Sequence, residues 1–236
     1  MFPGVTAGPC RTAFDFPSHP ARTTTMRNRE SHEAPPPPDA GKEEFRRWAR
    51  RMRRPGIPGD QAAATVDGIV EWFATARLPA GSVVIYLPLP DEIDVTPVPD
   101  RVSRKFAVTR TPPSGPLTLH PLDAPRERHR FGFEQPVATA PVVDPSTVAV
   151  VLAPGLAFGP DGERLGRGGG YYDRFLPAVP DGAAIVGVTV SALVVDGLPT
   201  DSHDVPMTHL ATETGVRPVG GPLSDPAALR LRLPDD

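Results

Sequence analysis

The chain has a single cysteine, Cys10, in 236 residues. No internal disulfide can form, which fits a reducing compartment. No apolar run approaches the length of a membrane span. Neither sign of charge dominates: 25 Lys and Arg stand against 28 Asp and Glu, a net charge of −3. No global field therefore argues for nucleic acid or a membrane surface. The start, Met1-Phe-Pro-Gly-Val-Thr-Ala-Gly, has no basic n-region and no apolar core, so no secretory signal is expected there. Internal repeats are also missing. A soluble cytoplasmic protein is the expectation.

Proline and glycine are plentiful, at 33 and 22, and they concentrate at the ends and in connections. Residues 1–40 end in the tetraproline Pro35–Pro38 and show no hydrophobic period. They read as a disordered tail, with Met26 as an alternative start. Residues 41–216 read as one folded domain, and 217–236 as a second tail with a short helix near Ala227.

Within the domain, Phe45, Trp48, Ala49 and Met52 recur at helical spacing, so Lys42–Arg54 is expected to be an amphipathic helix. On its wheel Lys42, Arg46 and Arg53 edge the apolar stripe, whereas Arg47, Arg51 and Arg54 face solvent. A second helix is expected over Asp60–Arg77, with Asp60 as cap and Val66, Ile69, Val70 and Phe73 buried. Ser82–Leu87, Lys105–Arg110, Leu117–His120, Val148–Ala153, Ala183–Val190 and Met207–Glu213 read as strands, the last at a sheet edge. Arg126–Arg130 reads as a charged exposed stretch. Phe131–Pro136 reads either as core or as apolar cover for a pocket. Alternating helices and apolar strands give an α/β fold of one domain, expected as a three-layer α/β/α arrangement around a mainly parallel sheet.

Three places carry chemistry. Asp91, Glu92 and Asp94 follow the strand Ser82–Leu87, and ligands gather at the carboxyl ends of such strands. Asp91 reads as an acid at a helix start, leaving Glu92 and Asp94 as candidates. His203 and Asp204 lie together on a loop. Asp204 suits a metal there, and His203 reads as a loop hydrogen-bonder because no other His or Cys stands at ligand spacing. The third place is Pro154–Pro177, where Gly155, Gly159, Gly162, Gly166 and Gly168–Gly170 lie between an apolar strand and the helix-compatible Tyr171–Leu176. Strand, glycine loop and helix is a phosphate-binding arrangement. No Lys follows the glycines, so it is not a P-loop. Glycines alone would read as surface turns. Arg164, Arg167 and Arg174 around them can fork onto phosphoryl oxygens, and Asp173 can hold a divalent cation.

Arg164-Leu-Gly-Arg-Gly-Gly-Gly-Tyr-Tyr-Asp-Arg-Phe-Leu176, preceded by Pro154-Gly-Leu-Ala-Phe158, closely resembles the signature of the 5-formyltetrahydrofolate cyclo-ligase family. Lys42-Glu-Glu-Phe-Arg46 resembles that family's helical Lys-x-x-x-Arg, which contacts ATP. Ile85–Asp94 is similar to its folate-side acidic loop, with Glu92 as the glutamate and Leu87 lining the pocket. Leu198–Asp204 is similar to its closing loop. The resemblance implies ATP-driven cyclisation of 5-formyltetrahydrofolate to 5,10-methenyltetrahydrofolate, with small-molecule substrates and no nucleic-acid partner. It implies Lys42, Arg46, Arg164, Gly166, Gly168, Gly169, Gly170, Tyr172 and Arg174 for ATP. Leu87, Glu92, Arg167, Gly168–Gly170 and Tyr171 would meet the folate. Arg164, Arg167 and Tyr171 would act on the reacting groups, and Asp173 and Asp204 would hold Mg2+. One departure is Gln135, where the family pattern has Glu. It and the poorly matching 97–130 region motivate an alternative: a catalytically altered, nucleotide-binding or regulatory member of the same fold. A nucleic-acid module using the Arg-rich first helix is a further alternative.

Overall fold

The structure, a computed structural model, describes residues 33–129 and 132–220. Of the tail expected over 1–40, residues 1–32, with Cys10 and Met26, lie outside the described residues. So do Arg130, Phe131, the stretch from 221 onward and the helix expected near Ala227.

A seven-stranded sheet forms the middle layer. Its strands are β1 (Ser82–Ile85), β2 (Phe106–Arg110), β3 (Thr118–Pro121), β6 (Val148–Pro154), β9 (Ala184–Val188), β10 (His209–Thr212) and β11 (Gly215–Pro218), in the order β11-β10-β9-β6-β1-β2-β3. Pairing is parallel from β10 through β2, and β11 and β3 close the two edges antiparallel. Two small ladders stand apart: β4 (Arg126–Arg128) with β5 (Glu134–Pro136), and β7 (Ala157–Phe158) with β8 (Arg164–Leu165). The unbroken apolar runs are explained by burial on both faces: every residue of β9 and all but the last of β6 are buried. Alternate side chains feed two cores. Val83, Ile85 and Leu152 meet α1 (Lys42–Arg53) and α2 (Gly59–Thr75), whereas Val84, Val151 and Ile185 meet Phe175 and Leu176 of α3 (Tyr171–Phe175) and the 3-10 turn after it. The expected three layers are present, the second helical layer being thin.

Several local expectations change. Asp60 does not cap α2, which starts one residue earlier, at Gly59, with no side-chain cap. The α2 face turned inward is Thr65, Val66, Ile69 and Trp72, because Trp72 fills the core more fully than Phe73 and takes the interior position. The 126–128 stretch is exposed as expected but pairs as a strand. β10 is not an edge, since β11 lies beyond it; the domain boundary expected at 216 falls inside that strand. Residues 33–40 belong with the folded part. The backbone oxygen of Glu33 accepts from Trp48 Nε1, and its carboxylate pairs with Arg51. Among the described residues, no helix is long and apolar enough to cross a membrane.

One topological fact positions the site. From β1 the chain moves to β2 on one side, and from β6 it moves to β9 on the other. The connections leaving the carboxyl ends of β1 and β6 therefore diverge, and a crevice opens between them.

Candidate active site

That crevice is a cleft lined by the two divergent strand ends, the glycine loop and the first turns of α1. Tyr86, Leu87 and Glu92 follow β1, and Pro154 and Gly155 close β6. No helix follows Asp91; residues 86–94 form an irregular loop with turns. The acid expected at a helix start instead pairs with Arg167, at 2.5 Å. Glu92 accepts the Leu89 N–H on one oxygen and Arg167 Nε, at 3.1 Å, on the other. Its side chain is only 8% exposed. Asp94 turns away to cap Thr96.

The glycine stretch is longer than strand, loop and helix. A small hairpin, β7–β8, comes first and uses Gly159 and Gly162 in its turn. The loop that lines the cleft is Gly166–Gly170. Gly168 (φ 101°) and Gly170 (φ 61°) adopt left-handed conformations that L side chains rarely take. Arg46 Nε donates to the Gly166 carbonyl, tying α1 to this loop.

Cations and carboxylates are interleaved on the α1 side. Lys42 Nζ lies 2.6 Å from Asp201 and 2.5 Å from Asp204. Burial alone would lower the Lys42 pKa, but hydrogen bonds to the two carboxylates hold it above its usual value. Burial would raise the Asp204 carboxyl, yet Lys42 and the Asp201 N–H hold it below the ordinary range. Arg164, 5% exposed, pairs with Asp173 at 2.5 Å. The wheel reading of α1 holds: Lys42 and Arg46 reach the cleft, Arg53 is buried, and Arg47, Arg51 and Arg54 are exposed.

Not every expected residue converges. Asp173 lines the same cleft, but among the described residues the group within common ligand reach is Asp201, His203 and Asp204. His203 is thus nearer a metal-ligand arrangement than its sequence context suggested. Arg174 is exposed; its guanidinium folds over the Tyr171 ring and donates to the Gly169 carbonyl, so it does not line the cleft. Tyr172, expected on the nucleotide side, has Thr109 and Glu92 among its neighbours. Its hydroxyl is buried with Thr109 alongside, yet completes no hydrogen bond of good geometry. Burial raises that phenol well above its ordinary pKa, so it stays a neutral donor.

Three contributors, Tyr86, Thr109 and Asp201, were missed in the sequence, and the edge residue Arg53 has a role the wheel did not show. Tyr86 is buried and donates to the Ile93 carbonyl, shaping the acid loop. Thr109 enters from β2 and no motif marks it. Asp201 is an acid three residues before Asp204, a spacing that could have been noticed. Arg53 donates to the carbonyls of Leu156, Gly155 and Asp91, bracing both strand-end loops from behind. Phe133 lines the cleft, in keeping with apolar cover. Gln135 stays behind the wall: its oxygen accepts from the Thr111 N–H and its amide donates to Glu127. A glutamate there could not make the second bond and would face Glu127 as a like charge.

Comparisons with known proteins place the chain in a family. A model of the 5-formyltetrahydrofolate cyclo-ligase family matches residues 48–213. A 5-formyltetrahydrofolate cyclo-ligase from Mycolicibacterium smegmatis is 28% identical over 181 residues, covering 70% of this chain and 91% of that protein. One from Haemophilus influenzae is 35% identical over 101 residues, covering 39% and 54%. The solved structure of 5,10-methenyltetrahydrofolate synthetase from Aquifex aeolicus superposes with a TM-score of 0.63 at 28% identity, covering 78% of this chain and 95% of that one. The Mycoplasma pneumoniae synthetase, at 16% identity and a TM-score of 0.59, supports the fold alone. The family match takes in the strand-end acids, the glycine loop and the closing loop, and the chain belongs to the 5-formyltetrahydrofolate cyclo-ligase family.

Proposed function

We propose that this enzyme drives the cyclisation of 5-formyltetrahydrofolate to 5,10-methenyltetrahydrofolate with ATP and Mg2+, releasing ADP and phosphate. The observation that carries this reading is the pairing pattern of the cleft. Carboxylates suited to a divalent cation are paired with cations suited to phosphate: Asp204 and Asp201 share Lys42, and Asp173 pairs with Arg164. A magnesium nucleotide supplies the opposite partners to both members of each pair, so no charge need be left bare on exchange.

The amide-like formyl oxygen is a poor leaving group. Its attack on the γ-phosphorus of ATP expels ADP and makes an activated imidate. N10 of the folate then attacks the formyl carbon, and phosphate leaves with the former formyl oxygen as N10 loses its proton. Such chemistry asks for positioning and charge neutralisation rather than a protein nucleophile. Lys42, Arg46 and Arg164 would hold phosphoryl charge, and the backbone of Gly166 and Gly168–Gly170 lets the phosphates approach closely. Arg167 and Tyr171 would meet the formyl group, and Leu87 and Glu92 the folate. Tyr172 lies between the two sides, with the Arg164 guanidinium over its ring and Thr109 and Glu92 near its hydroxyl. Asp204, with Asp201 and His203 within common ligand reach, fits a hard cation in charge and donor type, and Asp173 lines the same cleft. Bound there, magnesium would offset the charge on the β- and γ-phosphates. The reaction belongs in the cytoplasm in this reading.

The test is direct. Purified protein is mixed with ATP, magnesium and 5-formyltetrahydrofolate, and the near-ultraviolet absorbance of the methenyl product is followed. ATP-dependent product is expected. ATP binding without product would instead make the chain a catalytically altered member of its family.

A further inference from the structure

We infer that Asp91 is a positioning residue, whose carboxylate keeps the Arg167 guanidinium at the cleft wall while Glu92 turns to the folate. This rests on the function proposed above.

Arg167 sits between two glycines, and Gly168 is left-handed, so the local backbone does little to aim its side chain. Aim comes from what the guanidinium bonds. Its partners are Asp91 and Glu92, neighbours in sequence with different environments. Glu92 lines the cleft. One of its oxygens is committed to the Leu89 N–H, and the other is the one Arg167 Nε contacts. A folate N–H arriving at Glu92 competes for that second oxygen.

Asp91 does not line the cleft. It is anchored from behind: Arg53, 3% exposed, donates to its carbonyl and also to those of Gly155 and Leu156. Asp91 is thereby fixed relative to the end of β6, and its carboxylate faces Arg167 alone among the hydrogen bonds of the described residues. When Glu92 takes up substrate, Arg167 retains one charge-assisted bond. Its remaining N–H groups then point at the reacting formyl oxygen instead of relaxing into water. Without Asp91, a guanidinium already 37% exposed would have to be ordered anew in every turnover.

The test is a kinetic cycle in the absorbance assay. Asp91→Asn should lower kcat/KM for 5-formyltetrahydrofolate roughly 10- to 100-fold, the scale expected when a reacting group is misplaced. The KM for ATP should stay within about twofold of wild type, because the nucleotide meets Lys42, Arg46 and Arg164 instead. Asp91→Glu, which keeps the charge, should lose less. In an Arg167→Ala background, Asp91→Asn should cost nothing further, since its effect runs through Arg167. Losses that add in the double variant, or an Asp91→Asn enzyme equal to wild type, overturn the inference. If Asp91→Asn does not fold, as judged by thermal unfolding, Asp91→Glu with Arg167→Ala completes the same cycle. A wild type that makes no product would sink the proposed function and this inference together. An active wild type indifferent to Asp91 would sink this inference alone.

Discussion

Lys42 Nζ lies 2.5 Å from a carboxylate oxygen of Asp204, joining the first turn of α1 to a loop more than 150 residues later. The contact closes the cleft on the α1 side. It also sorts the basic residues of α1 into those that work in the cleft and those that face water.

Lys42→Ala should raise the KM for ATP about tenfold or more, the scale of a lost charge-assisted hydrogen bond. Arg47→Ala, exposed on the opposite face, should leave it unchanged. Steady-state kinetics with varied ATP decides, and equal effects from the two substitutions would refute the assignment of α1 faces.

Asp204→Asn should raise the magnesium concentration needed for half-maximal activity by about tenfold or more, because a carboxylate ligand becomes a neutral amide. Asp173→Asn should do the same and should also loosen Arg164, its ion-pair partner, raising the KM for ATP. A magnesium titration at fixed ATP reads the first effect, and the KM for ATP at saturating magnesium separates the two variants. An unchanged magnesium requirement in both variants would remove these carboxylates from the metal site.

Arg53→Met should cost about 3 kcal/mol or more of stability, measured by urea unfolding. Three carbonyls, those of Leu156, Gly155 and Asp91, would lose a buried charged donor, and unsatisfied buried acceptors are expensive. A loss below about 1 kcal/mol would mean that water replaces the guanidinium easily.

His209 gives stability a pH dependence of its own. It packs against the Trp72 ring at 5.2 Å, and burial lowers its pKa from 6.5 to about 4. The unfolded chain therefore binds the proton first as pH falls, and stability declines from about pH 6.5 down to about pH 4. Between about pH 7.5 and about pH 5 the wild type should lose roughly 2 kcal/mol by this route. His209→Gln should flatten that window in denaturant unfolding at the two pH values. A variant that keeps the full slope would place the titrating group elsewhere.

The family and the main architecture were legible in the order of residues, for definable reasons. The run Val148–Ala153 had to be buried on both faces, because no polar residue interrupts it. Arg164–Leu176 holds its glycines and charges contiguously, so its chemistry is local. The α1 wheel needed only a helical period to separate Lys42, Arg46 and Arg53 from Arg47 and Arg51. Trp72 was passed over because, from the wheel alone, Phe73 and Trp72 both adjoin the stripe, and only packing against β10 and β11 chooses between them. Asp91 was misread because helix-start acids and ion-pair acids look the same in one dimension.

Sequence by itself determined six of the seven strands of the main sheet, the glycine loop and which face of α1 is cationic, since each depends on residues within a few positions of one another. Tertiary structure alone decided the partnerships: Lys42 with Asp204, Arg164 with Asp173, and Arg167 with Asp91 and Glu92. The last of these and the Lys42 pair join segments far apart in the chain. They meet because a parallel sheet returns each strand end to the same edge, and because the connections from β1 and β6 diverge there to leave a cleft.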